Sequence, residues 1–243
     1  MKRIILISLI IFMFTIEAYS QGSSGKVTYE AVLLKQKEFN LDTIKYSKKA
    51  KSIIKKLLHN KSLIKYTLEF NGYKSLFKQN KQLQIKKNTL LQVFIGKGSF
   101  YYDRKNNHLI NKKNSYGETF LISYPKTEWK ITNETKKING YLCGKAITTI
   151  VENSRVKQTS TIVAWFAYNL PFNFGPKQFL GLPGLVLELD YIGKYKLRAT
   201  KIELNSKEKI KIELPKKGIK LSLEEYQKKL EELFVKRRIR SQN

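Results

Sequence analysis

The chain has 243 residues, 42% of them hydrophobic, with 47 basic against 19 acidic side chains and a formal charge of +28. That apolar fraction is ample for a core, and the length suits one β-rich domain rather than two. The single cysteine rules out an internal disulfide. Only seven of the basic residues are arginine, which weighs against nucleic acid as a target, because Arg carries the planar fork that bases and phosphates favour.

Lys2 and Arg3 precede an apolar run from Ile4 to Ile16 that falls short of the ~20 residues needed to span a bilayer. Ala18-Tyr19-Ser20 then supplies small residues at the two positions inspected by a signal peptidase. The pattern predicts a signal peptide over residues 1–20, cleaved before Gln21, and a single domain over residues 21–243. No cysteine stands at the cleavage point, so a lipoprotein is not expected, and no later stretch is apolar enough to cross a membrane.

Lys26 to Lys37 alternates and carries Val27, Tyr29 and Val32, the pattern of a first strand. From Lys45 to Leu58 the period changes. Tyr46, Ala50, Ile53, Ile54, Leu57 and Leu58 share one helical face opposite a lysine-rich one, which predicts an amphipathic helix. Strand patterns return over Leu63 to Lys78, with Ile64, Tyr66, Leu68 and Phe70 on one face, then over Thr89 to Asp103 and Phe120 to Tyr124. Gly96 and Gly98 are expected to mark a bulge or a close backbone approach. Arg104 to Tyr116, rich in Asn, reads as turn and loop.

Two hairpins follow, from Lys145 to Tyr168 around Glu152-Asn153-Ser154-Arg155, and from Leu185 to Leu204 around Ile192-Gly193-Lys194. Hairpin loops join antiparallel neighbours, so the sheet is expected to be antiparallel. Ser222-Leu223-Glu224-Glu225 is a capping box that opens a C-terminal helix. Its apolar stripe is Leu223, Tyr226, Leu230, Leu233 and Phe234, and Lys236, Arg237, Arg238 and Arg240 suit the negative pole of its dipole.

Three of the five prolines lie between Pro171 and Pro183. In Gly181-Leu182-Pro183-Gly184-Leu185, Pro183 presets φ for a type II turn and Gly184 is expected to supply its positive φ. Leu185, Leu187, Leu189 and Tyr191 then alternate along a strand. Together with Trp129, Gly140-Tyr141-Leu142-Cys143-Gly144-Lys145-Ala146, Ala164-Trp165-Phe166 and Gly175-Pro176, the segment Gly181 to Val186 resembles the signature of the GLPGLI family of exported bacterial proteins. The resemblance implies export into a Gram-negative envelope, periplasmic or secreted, and a structural role for Gly140, Tyr141, Cys143, Gly175, Pro176, Gly181, Pro183 and Gly184. It implies no known reaction.

An enzyme needs a nucleophile, a base and an electrostatic partner. His59, His108, Asp42, Asp103 and Asp190 fall in no catalytic or metal-binding spacing, so neither a catalytic residue nor a metal or other cofactor is expected, and Cys143 reads as a small core residue. Glu188 and Asp190 share the strand face opposite the leucines, either as the wet side of the strand or as a paired acid site. Trp129, Trp165, Phe174, Phe179, Leu182 and Pro183 cluster in sequence around the Gly/Pro segment and are the candidate lining of an apolar cleft, with core packing as the alternative.

The expected fold is mainly β (α+β), a curved antiparallel sheet, half-barrel-like, with an amphipathic helix in the N-terminal half and another at the C-terminus. The expected role is a non-enzymatic binding or carrier module for an apolar or lipid-like ligand. The alternatives are an accessory protein docking on an outer-membrane complex and a hydrolase of unfamiliar type. Possible partners are a lipid or outer-membrane component and an envelope protein.

Overall fold

The computed structural model describes residues 24–33, 52, 64–80, 94–153, 157–205 and 209–240. The signal peptide expected over residues 1–20 lies outside them, as does the helix expected over Lys45 to Leu58, Ser52 excepted.

Twelve strands follow in chain order: β1 (Ser24–Leu33), β2 (Ile64–Asn71), β3 (Lys74–Gln79), β4 (Ser99–Asp103), β5 (His108–Ser115), β6 (Glu118–Ser123), β7 (Lys130–Ile138), β8 (Tyr141–Asn153), β9 (Lys157–Ala167), β10 (Leu185–Tyr191), β11 (Tyr195–Leu204) and β12 (Ile219–Ser222). A C-terminal helix, α1, covers Leu223–Arg240. All strands join one open sheet in the order β12-β6-β5-β4-β3-β2-β1-β11-β10-β9-β8-β7. Two meanders, β1 to β6 and β7 to β11, are therefore stitched side by side through the antiparallel β1–β11 pair. The pairing is antiparallel throughout except at β12, which runs parallel to β6.

Tight turns set the meanders. Asn139 and Gly140, with φ of 50° and 83°, connect β7 to β8, and an Asn-Gly pair accepts the positive φ that a two-residue hairpin demands at both positions. Gly72 and Tyr73 likewise divide the expected Leu63 to Lys78 strand into β2 and β3. The Asn-rich stretch read as loop is mostly strand: residues 104–107 and Tyr116 turn, and between them runs β5, with Leu109, Ile110 and Asn111 buried between β4 and β6. Pairing on both sides outweighs the weak β-propensity of Asn and Lys there. Strand β4 begins at Ser99, so Gly96 and Gly98 precede it. At Gly98 a Cβ would meet Asn111 Oδ1 at 2.4 Å, which is the close approach expected of it.

One sheet face is apolar. Val27, Tyr29, Ala31, Ile64, Tyr66, Leu68, Phe70, Ile162, Ala164, Phe166, Leu189 and Leu197 are all buried on it. Residues 168–184 fold across this face and fill it. Phe172 and Phe174 contact Phe70, with ring centroids 4.8 and 5.4 Å away, and Phe179 meets Trp129 at 6.2 Å. Fully burying one such ring is worth roughly 1.5–3 kcal/mol, so the segment is anchored by its own side chains.

Backbone hydrogen bonds pin both ends of the segment, Leu185 N to Leu170 O at 2.8 Å and Val186 N to Phe174 O at 3.1 Å. A bulge between Val186 and Glu188 breaks the β10–β9 register and leaves the Val186 carbonyl free of the ladder. Tyr29 Oη donates to it at 2.5 Å, tying β1 to β10.

Gly184 is not the positive-φ residue of its turn; Gly181 is, at 90°. Gly184 is required for a different reason, since a Cβ there would lie 2.2 Å from the Ala167 carbonyl oxygen. The α1 capping box forms as expected: Ser222 N donates to Glu225 Oε2 at 2.7 Å and Glu225 N to Ser222 Oγ at 3.1 Å. Tyr226 packs edge-on against Phe120. No helix among the described residues is long and apolar enough to cross a membrane.

Candidate functional site

The opposite face of the sheet is polar and ordered by charge. At its centre Glu188 is only 1% exposed. Its Oε1 accepts from Lys136 Nζ at 2.7 Å and its Oε2 from Arg198 Nε at 2.9 Å, while Lys196 Nζ lies 3.7 Å from Oε1. Lys196 also pairs with Asp190 at 3.0 Å. Burial on its own pushes the Glu188 carboxyl up, but the hydrogen bonds and charges of Lys136, Arg198 and Lys196 hold it below the usual range. Glu188 is thus held ionised at neutral pH and bolts β7, β10 and β11 together.

The wet side of β10 expected from the alternation is therefore half wrong. Asp190 is partly exposed, whereas Glu188 is a buried hub, because the register sets Arg198 directly opposite it.

Trp165 sits opposite Glu188 on one side and Lys145 on the other. Lys136 Nζ lies 4.1 Å from its ring centroid, a cation–π contact that keeps the lysine over the indole while its charge reaches Glu188. Cys143 is opposite Lys136 and fully buried. Burial pushes its thiol up to about 11, which disfavours the thiolate at neutral pH.

The same face continues across β11 to β1 and β2. Arg198 is opposite Glu30, and Glu30 is opposite Lys65, 3.2 Å away. One step along the strands a cleft of about 680 Å³ opens, lined by Lys26, Thr28, Thr67, Glu69, Lys78, Gln79, Asn80, Ser99, Lys201 and Glu203. Lys78 pairs with Glu69 and Lys201 with Glu203, each at 2.9 Å. Thr67, 3% exposed, has its Oγ1 2.5 Å from Asn80 Oδ1.

Of the residues expected to line an apolar cleft, Phe174, Phe179 and Leu182 are buried together on the apolar face. Trp129 is half-buried beside them and donates Nε1 to Leu180 O at 3.0 Å. Trp165 is on the other face, and Pro183 is exposed. The motif residues separate by role: Gly140 turns the β7–β8 hairpin, Tyr141 and Cys143 begin β8, and Pro176 O accepts from Phe179 N at 3.1 Å. Gly175 leaves room for the Phe179 carbonyl, 2.1 Å from where its Cβ would be.

His108 opens β5 exposed, opposite Asp103. Asp103 instead caps the β4–β5 turn, accepting from Lys105 N and from the Asn106 side chain. His59 and Asp42 lie outside the described residues. Among the described residues no group of three or more His, Cys, Asp or Glu is placed to hold a metal.

Sequence reasoning missed the partners of Glu188 and the cleft. The hairpin arithmetic about Ile192-Gly193-Lys194 contained the first signal, since it pairs Glu188 with Arg198 and Asp190 with Lys196. The cleft had none, because it is assembled from strands of both meanders.

No curated protein matches the chain. Among solved structures, PNGF-II in a C2 crystal form is 21% identical with a TM-score of 0.50, over 85% of this chain and 32% of that one. PNGF-II in a P21 form is 22% identical with a TM-score of 0.49, over 85% and 33%. A DUF1329 family protein from Desulfovibrio piger is 7% identical with a TM-score of 0.20, over 79% and 88%. The first of these shares the fold, and this chain spans about a third of its length. Residues 101–227 match the family described as N-glycanase peptide, N-terminal domain. That match covers more than half of the chain, which therefore belongs to the N-glycanase peptide N-terminal domain family.

Proposed function

We propose that the chain is a non-enzymatic binding module exported into the bacterial envelope, periplasmic or secreted, and that it holds its ligand on the polar face of the sheet. The observation that carries this reading is the cleft between β11, β1, β2 and β3, whose side chains are ordered by ion pairs yet remain open to solvent. The apolar face is already occupied by residues 168–184, around which the sheet is read as curving like a half-barrel. Glu188 is saturated with cations and the Cys143 thiol is suppressed, which favours binding over hydrolysis. The likeness of Gly181 to Val186 to the GLPGLI signature agrees with export.

The family description names an N-terminal domain of an N-glycanase, and this chain aligns with about a third of PNGF-II. An accessory part that docks beside an envelope complex is the alternative reading.

A second reading keeps the apolar or lipid-like ligand. It is favoured by Tyr66, whose hydroxyl is buried on the apolar face with no hydrogen-bond partner and offers a donor to a ligand's polar end.

Native mass spectrometry of the full chain recovered from envelope extract tests the proposal. A retained small molecule, with no turnover of extract components, is expected. Bare protein in every preparation, or turnover of any fraction, would overturn it.

A further inference from the structure

We infer that the β12 edge of the sheet docks on the surface of an anionic phospholipid membrane. This goes beyond the binding-module reading and does not depend on the cleft.

Charge is compensated unevenly over the molecule. On the polar face the lysines are paired, Lys65 with Glu30 at 3.2 Å and Lys78 with Glu69 and Lys201 with Glu203 at 2.9 Å. Residues 209–221, which lead into β12, carry five lysines against Glu213 alone, and Lys211 holds that glutamate at 2.6 Å. Lys209, Lys216, Lys217 and Lys220 are exposed and form no ion pair among the described residues. Lys112 extends the patch. It is opposite Leu121 on β6, which is opposite Lys220, so the two ammonium stems leave the same face two strands, or about 10 Å, apart. Charges at that spacing act together on an anionic surface, since screening at physiological salt sets in over roughly 8 Å.

The edge also presents an apolar side chain. β12 is the last strand on its side of the sheet, and Ile219, between Lys217 and Lys220, is 41% exposed. An isolated isoleucine framed by lysines suits the boundary between headgroups and acyl chains, where apolar groups sink and ammonium groups stay with the phosphates. A protein partner would be met by Arg, Tyr or Trp, the residues enriched at such interfaces while Lys is depleted, and the exposed side chains of residues 216–220 include none of them. Lysine, a compact hydrated charge on a flexible stem, suits a diffuse layer of headgroups better than one fixed carboxylate.

The test is sedimentation of the full chain with phosphatidylcholine vesicles, with and without phosphatidylglycerol. Binding is expected only where phosphatidylglycerol is present, and it should weaken steadily as salt is added. Lys216→Gln, Lys217→Gln and Lys220→Gln combined should weaken it about a hundredfold, each lysine near an anionic surface being worth about fivefold. Ile219→Ser should weaken it about fivefold by a factor that salt does not change, because burial of apolar surface is not screened. Lys105→Gln, Lys126→Gln and Lys137→Gln combined remove the same charge from exposed positions away from β12 and should change binding less than about threefold. The salt titration of the wild-type chain reads the electrostatic contribution without any substitution.

Equal binding to both kinds of vesicle, binding to neither, or equal losses in the β12 and control variants would overturn the inference. So would retention on immobilised polyglutamate by a chain that ignores the vesicles, which would make the edge a site for an acidic protein.

Discussion

Glu188 and Arg198 face each other across the β10–β11 pair, with Oε2 2.9 Å from Nε, in the middle of a face where the carboxylate is almost wholly removed from water. Two lysines from β7 and β11 complete its neutralisation. Breaking a buried ion cluster from one side is costly, because the remaining charges lose their partner while staying desolvated.

Glu188→Gln should therefore destabilise the fold by about 3 kcal/mol, a fall of roughly 6–12 °C in Tm for a domain of this size. Asp190→Asn, at a partly exposed pair, should cost less than about 1 kcal/mol. Calorimetric melting of the two variants checks the ordering, and equal losses would remove the special status of Glu188.

The same cluster sets an acid limit. The folded-state pKa of Glu188 is depressed, so its contribution is fully present above the unfolded carboxyl value of about 4.3 and is lost as the pH falls through the lower folded value. Denaturant melts at pH 7 and at pH 3 should show the wild-type chain losing more stability than Glu188→Gln over that interval. Parallel losses would place the acid sensitivity elsewhere.

Gly184→Ala should be severe, about 3 kcal/mol or more, because the new methyl would meet the Ala167 carbonyl, a backbone atom that cannot step aside. Gly181→Ala has open space around it, its nearest neighbour being Lys126 Cε at 3.9 Å. It should cost only the left-handed backbone strain, about 1 kcal/mol. Urea midpoints of both variants decide whether close approach or dihedral freedom governs each glycine.

Cys143 should resist iodoacetamide at pH 7.5 in the folded chain and react fully in urea, since it is buried and its thiol is pushed up to about 11. Stoichiometric labelling of the native protein would contradict the environment assigned to it.

Much of this was legible in advance. Alternation placed Ile64, Tyr66, Leu68 and Phe70 on one buried face, and the Ser222 to Glu225 capping box located the start of α1. The Arg104 to Tyr116 stretch was misread because β5 owes its form to β4 and β6, not to its own residues. Gly184 was assigned the wrong duty because a sequence shows a glycine but not the carbonyl packed against it. The aromatic set was split between two faces because Trp165 alternates with the buried Ala164 and Phe166 along β9, while Phe174 and Phe179 lie in the segment that crosses the apolar face. The cleft, formed where the two meanders meet, depends on a β1–β11 contact between residues more than 160 positions apart.

The most direct test of the central claim is hydrogen exchange of the full chain with and without deproteinised envelope extract. Ligand-dependent protection is expected in β1 to β3, around Thr28, Thr67 and Asn80, with the 168–184 segment unchanged. Protection confined to 168–184, or none anywhere, would contradict a ligand held on the polar face.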